Sequence, residues 1–124
     1  MNRQIDHGGL YDLSYLNQVF QGNQQMIDQI ISLFIQQVPS FVAEMTRAVD
    51  ENRLGDLHPL AHKAKSSVAM LGMKEVEYLF LQVEFCSKNN KTPERLGGMV
   101  EQLSEMIVVA GSQLKSELSS RSAA

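Results

Sequence analysis

The chain has 124 residues, 44% of them apolar and 20% charged, with a formal net charge of −3 and a pI near 5.5. That length and apolar share fit one domain with an ordinary core, and the acidic balance excludes the basic surface that tracks nucleic-acid phosphates. No uninterrupted apolar run approaches the ~20 residues that span a bilayer, and the first residues lack the apolar region of a secretory signal. Cys86 is the single cysteine, which excludes an internal disulfide; it reads as a small buried apolar residue, and the expected setting is reducing and cytoplasmic.

Residues 1–9, containing Asp6-His7-Gly8-Gly9, read as a flexible start in which His7 is solvated and inert. Leu10 to Phe20 is a short amphipathic segment, with Leu13, Leu16, Val19 and Phe20 apolar and Asp12 as its cap. Gly22-Asn23 ends it. From Gln24 the apolar residues Ile27, Ile30, Ile31, Phe34, Ile35, Val38, Phe41, Val42, Met45, Ala48 and Val49 keep the helical period straight through Pro39. Proline lacks an N–H and disfavours helix at the residue before it. Two nearly collinear helices of roughly 15 and 12 residues, with a kink or break at Pro39, are therefore expected. Asn52-Arg53-Leu54-Gly55 makes the next turn.

The following helix has clear ends. Asp56 is placed to accept from the unpaired N–H groups of the first turn, Pro59 falls inside that turn, and Gly72 suits a left-handed C-terminus. Wound at about 100° per residue, Leu57, Leu60, Ala61, Ala64, Val68 and Leu71 gather on one core-facing stripe. His62 lies about 140° from the stripe's centre, on the water side, with His58 and Lys65 on its flank at roughly 100° and 80°. Ser66 and Ala69, both small, sit beside His62 and leave it open to an approaching body. Lys63 points away from this flank.

After Gly72 a helix is expected from about Lys74 to Lys88, with Val76, Leu79, Phe80, Val83 and Cys86 on a core stripe. Tyr78, Leu81 and Phe85 form a second stripe almost opposite. Either the leading helix covers this second stripe or it is a docking surface for another protein. Asn89-Asn90-Lys91 reads as a loop, Thr92 as a cap and Pro93 as the start of the last helix. Leu96, Met99, Val100, Leu103, Met106, Ile107, Ala110 and Leu114 carry its apolar stripe. Gly97-Gly98 weakens its first turns, and the polar end frays. The expected fold is all-α, an antiparallel four-helix bundle with a short additional N-terminal helix, covering residues 10–118 between flexible segments 1–9 and 119–124.

The chain holds no G-x-x-x-x-G-K-[ST] loop, G-x-G-x-x-G, nucleophile elbow, H-E-x-x-H or C-x-x-C. Nothing in it is built to bind ATP, which argues against a self-contained kinase. An ordinary imidazole titrates near 6.5, so an exposed one at pH 7 offers a lone pair as a nucleophile. His58 and His62, at i and i+4, have the spacing to offer two imidazoles to Zn²⁺, but two ligands make a weak site and no other His or Cys cluster supplies the rest, so no metal is expected. A further reading is a non-catalytic adaptor that works through Tyr78, Leu81 and Phe85.

His62-x-x-Lys65-Ser66-Ser67, followed by Leu71-Gly72, resembles the signature of histidine-containing phosphotransfer (HPt) domains, roughly H-x-L-K-G-S/A-x-x-x-L-G on an exposed helix face. Ala64 replaces a larger apolar residue and Ser66 the commonest glycine; both are small and leave the imidazole accessible. The resemblance extends over roughly residues 10 to 115. It implies a reversible phosphoryl carrier between receiver-domain aspartates, with His62 as phosphoacceptor and Lys65 as electrostatic helper. Ser66 and Ala69 would keep access open, and Gly72 would be structural. The implied partners are receiver domains of a hybrid sensor kinase and of a response regulator, docking over the histidine helix and the one after it, where His58, Lys63, Tyr78, Leu81 and Phe85 stand. The domain would bind no cofactor itself, with Mg²⁺ arriving on the receiver, and neither nucleic acid nor membrane is an expected partner. It is expected to be a free-standing monomer.

Overall fold

Apolar residues recurring every third or fourth position wind into helix throughout. A computed structural model describes residues 10–88 and 93–123, with side chains placed for 10–88 and 95–120. It contains α1 (Ser14–Val19), α2 (Gln24–Asp50), α3 (Leu57–Met70), α4 (Lys74–Lys88) and α5 (Pro93–Ala123), with a 3-10 turn at Leu54–Asp56 leading into α3. No strand is present among the described residues. α3 packs against α4 and α2 against α5, and α2–α3 and α4–α5 contacts close the ring into the four-helix bundle expected. The expectations for residues 1–9, including His7, and for the Asn89-Asn90-Lys91 loop and Thr92 cap lie outside the described residues.

The core is the predicted set of stripes. Ile31, Phe34 and Met45 from α2 meet Leu57, Ala61 and Val68 from α3, Val76, Phe80 and Val83 from α4, and Leu96, Leu103 and Ile107 from α5. Full burial of one such side chain stabilises the fold by about 1.5–3 kcal/mol relative to exposure. Leu60 and Leu79 are only partly buried at the stripe edges.

Pro39 does not break α2. The helix runs unbroken for 27 residues with Pro39 inside it and exposed. Pro39 sits on the open rim of the α2–α5 seam and Ile35, whose carbonyl loses its helical bond, is only partly buried, so the lost bond costs little while the core side of α2 keeps packing. By length and composition α2 also passes the test for a membrane-crossing helix, with a mean hydropathy of 1.2 over an 18-residue stretch. Its buried residues, Ile27 through Ala48, recur at core spacing and pack inside the bundle, which is the pattern of an amphipathic core helix.

The helix ends follow local chemistry, with two differences from expectation. Asn23 caps α2, its side chain accepting from the Met26 N–H at 3.2 Å. Asp56 does not cap α3: it sits in αR geometry inside the 3-10 turn, and its carboxylate pairs instead with Arg53 at 2.8 Å. An N-cap needs extended backbone to aim its side chain at the first turn. Asp12 does accept from the start of α1, through the Ser14 N–H and hydroxyl at 2.9 and 2.6 Å. These bonds hold its carboxyl below the usual range, with Lys74 a smaller contributor. The second difference is α5, which continues helical to Ala123, past the boundary drawn at residue 118. Its last turns contain no Gly or Pro, Leu118 packs against the core, and Glu117 accepts from the Tyr11 hydroxyl at 2.8 Å.

α1 is anchored at the α3–α4 turn rather than over the outer stripe of α4. The Asp12 N–H donates to the Leu71 carbonyl at 3.0 Å, and Gly72, at φ +66°, lies directly against the Asp12 backbone. Leu16 is fully buried there, whereas Val19, expected on the apolar side, is exposed. A Cβ on Gly72 would meet the Asp12 carbonyl oxygen at 2.2 Å. Gly72→Ala is therefore expected to cost more than about 2 kcal/mol, combining left-handed strain with the clash. Gly98→Ala, in open space on α5, should instead stabilise by about 0.5–1 kcal/mol. Urea unfolding of the two variants checks both signs.

Candidate functional site

α3 and α4 are joined by the short Leu71-Gly72-Met73 turn, so they run antiparallel and residues equidistant from Met73 lie level. His62 and Glu84 are such a pair, each eleven residues from Met73. The Glu84 carboxylate reaches across the seam and gathers the basic flank of α3. Its Oε2 lies 2.8 Å from His62 Nδ1, and its Oε1 accepts from Lys65 Nζ at 2.7 Å. His58 Nε2 stands 3.6 Å from the same Oε2. The His58 and His62 rings are one turn apart, centroids 6.4 Å apart and nearly parallel at 11°.

The burial of these groups is graded. The Glu84 side chain is 15% exposed and Lys65 26%, whereas His62 is 68% exposed. The ion pair is thus largely withdrawn from water and weakly screened, while the imidazole projects outward. The Lys65 hydrogen bond, above all, holds the Glu84 carboxyl below its usual range; His62 adds to this, and partial burial opposes it. An ionised carboxylate only accepts hydrogen bonds, so His62 Nδ1 carries the donated proton. The neutral ring then presents its lone pair at Nε2, the nitrogen facing away from Glu84.

The predicted site residues divide clearly. His62 is exposed, His58 and Lys65 share its flank, Ser66 is exposed and Ala69 half-buried beside it. Lys63 lies on the other flank, where it lines a cleft with Pro59, Arg53 and the α2 residues Glu44 and Arg47. Gly72 sits at the turn and holds the hairpin rather than the site. Tyr78, Leu81 and Phe85 are 61%, 44% and 58% exposed, so the leading helix does not cover that stripe. Leu81 and Phe85 flank Glu84 on the outer surface of α4; Tyr78 lies further along, lining a cleft with Lys74, Leu79 and Gln102. Among the described residues no group of three or more His, Cys, Asp or Glu is arranged to hold a metal ion.

Two features differ from the sequence expectation. Lys65 is engaged with Glu84 instead of standing free beside His62, because the partly buried carboxylate is the nearest anion. Glu84 itself was missed; the signal was the equal spacing from the turn, which places a carboxylate level with the histidine.

Because the Glu84 carboxyl titrates lower in the folded chain, its contribution to stability is complete above the ordinary carboxylate range and is lost as pH falls through the lowered value. Glu84→Gln should flatten the loss of stability below about pH 4.5. Urea midpoints across an acid pH series measure this; parallel curves for wild type and variant would contradict it.

The Hpt domain family model matches residues 29–119, about three quarters of the chain, and the matched span includes all of α3 and α4. No curated protein and no solved structure matches the chain significantly. Hpt domains serve histidine phosphotransfer in phosphorelays and interact there with receiver domains. The extent of the family match, over a helical bundle with an exposed histidine on its third helix, establishes that the chain belongs to the Hpt domain family.

Proposed function

We propose that this chain carries a phosphoryl group on Nε2 of His62 between aspartates of receiver domains. The observation that carries the reading is the Glu84–His62–Lys65 arrangement, in which an exposed imidazole has its Nδ1 held and its outer nitrogen free. In the loading step the Nε2 lone pair attacks phosphorus of an aspartyl phosphate. The P–O bond to the aspartyl carboxylate breaks, and the electron pair leaves with that carboxylate. The ring becomes a phosphoimidazolium that keeps its Nδ1 proton, and Glu84 offsets the new positive charge. Unloading is the reverse, onto a second aspartate. Keeping the ring cationic keeps it a good leaving group, which suits a carrier.

Lys65 has three N–H donors and spends one on Glu84, so others remain for the phosphoryl oxygens as charge shifts between donor and acceptor. The metal and acidic residues that phosphoryl transfer requires would come with the receiver domain, one belonging to a hybrid sensor kinase upstream or a response regulator downstream. Leu81 and Phe85 border the site and, with Tyr78, His58 and Lys63, give the receiver a docking surface whose apolar part adjoins the reacting atom. A purely adaptor role would use the same stripe but leaves the Glu84 clasp on His62 without a purpose.

Incubation with a phosphorylated receiver domain from the same organism, read by intact-mass spectrometry, tests the reading. The wild type should gain an acid-labile phosphoryl mass and His62→Gln should not. Lys65→Ala should load roughly 10- to 100-fold more slowly. A gain that persists in His62→Gln would overturn the assignment.

A further inference from the structure

On the side of the bundle away from His62, α2 and α5 pack to leave an open seam. The α5 wall of that seam is the stripe Gly97, Glu101, Ser104, Val108, Gly111 and Lys115, and the α2 wall is Ile35, Pro39, Val42, Thr46 and Asp50. One half is an apolar cavity of about 500 Å³ bounded by Pro39, Val42, Val108 and Gly111, with Lys115 at its end. The other half is a smaller cleft of about 260 Å³ whose charged residues, Asp50, Glu101 and Glu105, are all acidic. Val108, 50% exposed, stands between the two halves.

The stripe is self-complementary about Val108. Glu101 precedes it by seven residues and Lys115 follows it by seven, so the two charges lie about 10 Å to either side along the helix. Both are exposed, and neither has an ion-pair partner among the described residues. The Ser104 hydroxyl lines the acidic cleft, is buried and has no hydrogen-bond partner.

We propose that this seam is a self-association surface, on which α5 of a second copy lies antiparallel with the two Val108 side chains at the centre. A two-fold axis there pairs Glu101 of each copy with Lys115 of the other, bringing each Lys115 to the other copy's acidic cleft. Closed two-fold pairing requires one patch to complement itself, which opposite charges at equal distances from a centre provide. The seam extends about 27 Å along α5, a contact at the small end of stable interfaces, so association is weak and concentration-dependent. Both His62 faces stay outward, and the sequence expectation of a monomer gives way to a monomer–dimer equilibrium. The proposal is independent of the phosphotransfer reading.

Sedimentation equilibrium of the full chain over a range of concentrations tests it. The average mass should rise from monomer toward dimer. Glu101→Lys or Lys115→Glu alone should weaken association roughly tenfold or more, and the double reversal should restore it. Val108→Asp should abolish the dimer while leaving the circular dichroism spectrum and phosphoryl loading unchanged. A wild type that stays monomeric throughout, or a folded double reversal that fails to recover the dimer lost in the single variants, would overturn the proposal.

Discussion

The site depends on one carboxylate placed across a helical hairpin. Glu84 lies where α4 passes level with His62, and it makes two charge-assisted hydrogen bonds within 2.8 Å, one to each of two α3 side chains. Neither bond would form if the hairpin slid by a residue, since Lys65 and His62 lie on the same flank but three residues apart. The geometry of the Leu71-Gly72-Met73 turn, locked against the Asp12 backbone, therefore reaches the chemistry through register alone. This is why a glycine about 15 Å along the helix from the histidine belongs to the account of the site.

The same carboxylate divides the labour among the basic residues. Lys65 and Glu84 neutralise each other in a partly buried setting, so under the proposed function a phosphoryl group on His62 would meet a cation that is already positioned. His62 remains in water, open to an approaching partner. Burying the pair and exposing the nucleophile satisfies opposite demands within one turn of helix. His58, stacked a turn away and within reach of the same oxygen, adds a third basic group to the cluster.

Much of this was legible in the sequence. Periodicity alone gave the core stripes, the position of His62 away from them, and the start and end of α4. Gly72 declared its left-handed turn through residue type. What stayed hidden were facts that depend on tertiary register or on which side of a helix meets water. A proline in a helix removes a bond, so residue type at Pro39 predicts a kink or break; that Pro39 is exposed, where the loss is small, depends on the packing of α2 on α5. Asp56 was read as a cap from residue type, while the 3-10 turn that redirects it to Arg53 depends on local backbone geometry. The outer stripe of α4 was ambiguous until the docking of α1 at the far turn left it bare. Glu84 escaped because attention to α3 alone cannot find a partner 22 residues away.

Under the proposed function, Glu84 fixes the proton of His62 on Nδ1 and leaves Nε2 as the nitrogen that would react. Long-range ¹H–¹⁵N correlation NMR of the folded, unphosphorylated chain near neutral pH reads the tautomer of each histidine directly. The account predicts that neutral His62 is protonated at Nδ1 with a lone-pair Nε2, and that Glu84→Gln shifts this balance. Protonation of neutral His62 at Nε2 in the wild type would contradict it, because the nucleophilic lone pair would then face the carboxylate.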